Sequence, residues 1–144
     1  MKIIKISVDN EISVYPFPTG TINEENHALY EMIGNYCSLY EHVMPRRLYK
    51  ELGAVANVTN IDGEAVAMLV DEEGGLKENS LNTVASYLYE SDRHGYPIMG
   101  NVLFVGKKWE GSGVSFCGIA DKEFAELYSK FDSLVKRVKK AGDK

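Results

Sequence analysis

The chain has 144 residues, 44% of them hydrophobic and 26% charged, which fits one globular domain and excludes a disordered, fibrous or membrane-embedded composition. Its formal net charge of -5 argues against general nucleic-acid binding, which rests on Lys and Arg neutralising phosphates. Positive charge concentrates only at Arg46-Arg47 and from Lys136 to Lys140, and the second run complements the C-terminal end of a helix dipole.

Side chains alternate from Lys2 to Val8 and again from Ile12 to Tyr15, with Asp9-Asn10-Glu11 between, which reads as a β-hairpin. Pro16 and Pro18 lack backbone donors and end its second strand. The first stretch is too short and too interrupted by lysine for a secretory core or a membrane span, so a cytoplasmic location is expected. Thr21 and Glu24 have capping-box spacing, and Ala28, Leu29, Met32 and Ile33 form an apolar stripe, so a helix is expected over 24–33 with Gly34 closing it.

Alternation of β-favouring residues predicts a strand over 36–44, while 45–53 fits either a helical turn or irregular strand. Asp62-Gly63 marks a tight type I′ turn between strands over 54–60 and 64–70. The second of these is apolar almost throughout, as in a strand covered on both faces. A short helix is expected over 80–90, a loop over 91–97, a strand over 98–105, a connection over 109–113 and a short strand over 114–117. From Asp121, the residues Phe124, Leu127, Tyr128, Phe131, Leu134, Val135 and Val138 make a long amphipathic stripe, with fraying from about Lys139. The result is a single α+β domain over 1–144, a largely antiparallel mixed sheet with about three helices packed on one face.

Three segments carry a resemblance: Met68 to Gly74, Leu81 to Ser86, and Ile98 to Gly106. They comprise an acidic turn closing a strand, an Asn-x-x-Ala helix start, and a Gly-polar-aliphatic strand ending in Gly. Together they resemble a widespread family of small bacterial and phage proteins of unknown function. The resemblance extends from the first strand to the last helix and implies an accessory role on a phage, plasmid or integrated element. Against that pattern the chain inserts 46–62 and 91–96.

Candidate chemistry is sparse. Asp71, Glu72 and Glu73 lack the alternate spacing of a Ca²⁺ loop and read as a solvated turn. His27, His42 and His94 lie far apart, Cys37 and Cys117 belong to no CxxC pair, and no metal or cofactor is expected. Gly111-Ser112-Gly113 reads as a hairpin turn rather than a phosphate cradle. A ligand site for a nucleotide or other anion is expected around Arg93, His94, Tyr96 and Trp109, with the amide of Asn82 nearby. Among nine tyrosines, Tyr30, Tyr36, Tyr40 and Tyr49 fall close in sequence and suit an interface. The leading expectation is a non-enzymatic protein that binds a host protein or itself as a homo-oligomer. Small-ligand binding is the alternative.

Overall fold

The computed structural model describes residues 1–52, 61–111 and 113–142. Six strands are present among them: β1 (Lys2–Ile6), β2 (Ile12–Pro16), β3 (Tyr40–Val43), β4 (Val66–Asp71), β5 (Val102–Glu110) and β6 (Gly113–Cys117). Five helices accompany them: α1 (Ile22–Ile33), α2 (Arg46–Leu52), α3 (Thr83–Leu88), α4 (Ser91–His94) and α5 (Asp121–Gly142). The domain is α+β, its strands run in the order β2-β1-β5-β4-β3, and β6 pairs with β5 off this path. Among the described residues every strand pairing is antiparallel, with Met68 opposite Phe104 in the β4–β5 pair and Ile4 opposite the same Phe104 from β1.

The centre of the sheet is apolar on both sides, so both sides need a cover. On one face Ile4, Ile6, Val66, Met68, Val102 and Phe104 pack against Leu48 of α2, Val84, Ala85 and Leu88 of α3, and Leu127, Phe131 and Leu134 of α5. The rings of Phe104 and Phe131 meet at 4.4 Å. On the other, Ile3, Ala67, Leu69, Leu103 and Val105 pack against Leu29 and Ile33 of α1. Helices therefore cover two faces, not the one expected. All six residues of β4 are buried.

Several boundaries move for physical reasons. The strand expected from residue 36 begins only at Tyr40, because Asn35 and Tyr36 take positive φ (50° and 58°) and cannot join an extended ladder. The segment 46–52 is helical. The helix expected over 80–90 is short, and a separate turn, α4, forms within the expected loop 91–97. β5 continues through Trp109 to Glu110, so Trp109 is part of a strand rather than of a connection. Helix α5 is still regular at Gly142, and Tyr128, placed in its apolar stripe, is 40% exposed. The strand expected over 54–60 lies outside the described residues. Of the Asp62-Gly63 pair only Gly63 has positive φ (85°), so the turn is not type I′.

Three glycines let the chain cross itself beside β5. The Gly63 N–H donates to the Lys107 carbonyl at 3.0 Å, and the Gly63 carbonyl accepts from Ala120 N–H at 2.9 Å. A Cβ on Gly106 would sit 2.3 Å from the Gly118 carbonyl oxygen and 2.7 Å from Gly63 Cα, so no side chain fits there. Gly106→Ala should destabilise the fold by about 2–3 kcal/mol in urea denaturation, since backbone on both sides must shift. Gly75→Ala, which meets nothing within 4 Å, should stay within about 0.5 kcal/mol of wild type.

Candidate functional site

Two asparagines organise the end of the sheet where β1 stops and β5 begins. Asn82 caps α3 by accepting from Ala85 N–H at 3.0 Å. Its NH₂ group donates to the carbonyls of Ile6 (3.1 Å) and Gly100 (3.0 Å), and the residue is 0% exposed. Asn101 does the matching work toward α1: it accepts from Val8 N–H at 3.0 Å and donates to the Ile33 carbonyl at 3.0 Å. The two amides thus tie helices from opposite faces to one rim.

On this rim the loop after α1 is held in an unusual shape. Lys77 donates to the carbonyls of Asn35 (3.2 Å) and Tyr36 (3.0 Å) and to the Asp71 carboxylate (2.8 Å). Asp71 is the last residue of β4, and its side chain is 1% exposed, so the acidic turn is not solvated throughout as expected. The bond to Asp71 holds the Lys77 ammonium above the usual lysine range. Asn35 also donates to Asn79, and Glu78 joins Asn35 and Tyr36 at positive φ (56°). Clamped this way, Tyr36 stands 95% exposed, next to a loop that carries Leu76 at 86% exposure. Leu39, 49% exposed, is joined to the same loop by the Glu72 N–H to Leu39 carbonyl bond of 3.0 Å. A recess of about 290 Å³ beside them is lined by Asn35, Asn79, Ser80 and Asn101.

A second concavity, of about 330 Å³, separates α1 from the β5–β6 hairpin. That hairpin curls back over the sheet, since Phe116 of β6 meets Tyr40 and His42 of β3 at 5.9 Å and 5.3 Å. Phe17, Tyr40 and Phe116 give the cleft half-buried aromatic walls, and Glu25, Asn26, Lys108, Glu110 and Ser115 give it polar ones. Tyr40 donates to Asn26 at 2.9 Å, and burial, with Tyr30 and Glu25 nearby, pushes its phenol up. Lys108 pairs with Glu110 at 3.0 Å, which lowers the Glu110 carboxyl below its ordinary range.

The residues expected to form one ligand site are dispersed. Arg93, His94 and Tyr96 do sit together, with the His94 and Tyr96 rings stacked at 5.5 Å. Arg93 lies 3.6 Å from Glu90, and His94 is engaged by the Tyr89 carbonyl (2.9 Å) and Tyr96 N–H (3.2 Å). Asn82 is fully enclosed, and Trp109 pairs with Val114 on the outer half of β5. Of the tyrosines, the Tyr30 and Tyr40 ring centres lie 5.5 Å apart, Tyr36 stands on the rim, and Tyr49 of α2 donates to the Val66 carbonyl at 2.6 Å.

Sequence reasoning missed two charged groups. Lys107 is 5% exposed, with its ammonium 3.8 Å from the Met44 sulfur and 5.9 Å from the Tyr49 ring centre, and burial holds its amine below the usual range. Among the described residues it has no carboxylate within ion-pair distance, and it lines neither concavity. Its signal was hidden because the strand seemed to end before it. Glu90, 6% exposed at φ 62°, receives Lys50 at 2.9 Å, with Arg47 and Arg93 at 4.0 Å and 3.6 Å, and so joins α2 to α3 and α4. Both cysteines are free thiols. Among the described residues no three His, Cys, Asp or Glu side chains are grouped to hold a metal, and no helix is long and apolar enough to cross a membrane.

No protein-family model matches the chain, and neither a curated protein nor a solved structure shows significant similarity to it.

Replacing Asn82 by Ala strips partners from two buried carbonyls and one helix cap, and should cost about 3 kcal/mol in chemical denaturation. Hydrogen bonds from Lys50 hold the Glu90 carboxyl below its ordinary value of 4.5, against the opposing effect of burial. A lowered folded-state pKa means that the stabilisation is present above pH 4.5 and is lost as pH falls through the folded-state value. Glu90→Gln should therefore melt earlier than wild type at pH 7, with the gap closing in thermal scans taken progressively below pH 4.5.

Proposed function

We propose that the chain is a non-enzymatic binding protein that engages a protein partner, or a second copy of itself, through the rim centred on Tyr36. The supporting observation is the clamp: a 95% exposed tyrosine at φ 58° is fixed by the Lys77 ammonium on its own carbonyl and its neighbour's. Positive φ at a bulky residue costs free energy and persists only where surrounding contacts impose it. Here the imposed shape exposes an aromatic ring instead of burying it. Leu76 and Leu39 add exposed apolar area on the segments tied to the same clamp, and a rigid aromatic in such a setting is a favoured interface anchor because little entropy remains to be lost. The accessory role on a phage or mobile element draws on the family resemblance alone.

An anion or nucleotide at the 91–97 loop has weaker support. Arg93 is drawn to Glu90, and both ring nitrogens of His94 are occupied within the loop.

Tyr36→Ala should leave the melting temperature within about 2 °C of wild type, since an exposed side chain away from the core contributes little to stability. Self-association, read by sedimentation across concentrations, or capture of a partner from host lysate, should weaken at least about tenfold. Undiminished binding by the variant would refute the assignment of this rim.

A further inference from the structure

We infer that the cleft between α1 and the β5–β6 hairpin is a binding site for a small organic cation of the alkylammonium type. The cleft shares no lining residue with the Tyr36 rim. The charged groups lining the cleft are Glu25, Lys108 and Glu110, so two carboxylates face one ammonium. Lys108 is committed to Glu110 at 3.0 Å, and Ser115 donates to Glu110 at 3.0 Å. That leaves Glu25, half-buried on the α1 wall, with no side-chain ion pair among the described residues. The remaining negative charge is matched by the chain's net charge of -5, which favours approach of cations over anions.

The apolar lining selects further. Phe17, Tyr40 and Phe116 present aromatic surface, whose negative faces attract ammonium groups and whose carbon surface shields alkyl chains from water. Tyr40 donates its hydroxyl hydrogen to Asn26, so its phenol oxygen keeps lone pairs that can accept from an ammonium. A volume of about 330 Å³ lies at the small end of the range for ligand clefts, which suits a short diamine or a quaternary ammonium and not a nucleotide or a peptide.

The test is calorimetric titration and thermal melting of the full chain with 1,4-diaminobutane and tetramethylammonium, against 1,4-butanediol as the uncharged match and succinate as the anionic one. The two cations should bind and, at ten times their dissociation constant, raise the melting temperature by roughly 5 °C, while the diol and the diacid do not. Glu25→Gln should weaken cation binding about tenfold with the unliganded melting temperature unchanged. Lys108→Gln, which releases Glu110 from its ion pair, should strengthen it several-fold. Equal responses to diamine and diol, unchanged affinity in Glu25→Gln, or no response to either cation at millimolar concentration would each overturn the inference.

Discussion

The structure depends on two side-chain amides at one end of the sheet. Asn82 gathers the end of β1, Gly100 two residues before β5 and the first turn of α3, while Asn101 gathers Val8 after β1 and the last carbonyl of α1. Each replaces water with partners of matched geometry at backbone groups that regular ladders leave open. Asn82 is completely enclosed, so the loss of its amide would leave carbonyls without solvent to turn to. Because the helices lie on opposite faces, the two amides fix both cover layers against the same strand.

That arrangement follows from the composition of β4 and β5, which are apolar on both faces. A sheet covered twice has no open face on which to build a site. Polar and exposed aromatic groups are left with its rims, and the two concavities lie there: one beside the Asn101 rim, the other under the curled β5–β6 hairpin. The glycine crossing at Gly63, Gly106 and Gly118 belongs to the same logic, since it lets the chain leave β6 at backbone contact distance and start α5 on the far cover layer.

Much of the framework was legible in the residues. The capping box of Thr21 and Glu24, the apolar run of β4 and the stripe of α5 each announce themselves by spacing, and each forms. The two-sided cover was implicit too, because a strand apolar at every position cannot be covered by helices on one face only. What was not legible depends on contacts distant in sequence or on backbone shape. Alternation from Tyr36 to Tyr40 resembles a strand but says nothing about αL geometry at Asn35 and Tyr36, which Lys77 imposes from more than 40 positions away. Asp71 read as solvated until its partner across the turn was known. Lys107 and Trp109 looked like loop residues because charge and turn-forming glycines surround them, yet pairing with β6 keeps them in the sheet. Of the residues expected around one ligand, Asn82 is enclosed and Trp109 belongs to the β5–β6 hairpin.

The candidate rim therefore combines a rigid support with a ring held outward at an energetic cost. Backbone ¹⁵N relaxation of Asn35 and Tyr36 in the wild type and in Lys77→Met measures this directly. The clamp predicts order parameters of about 0.85 in the wild type, falling below about 0.6 in the variant while β4 and β5 stay rigid. Wild-type values already below about 0.6 at Tyr36, or values unmoved by removal of the ammonium, would contradict it.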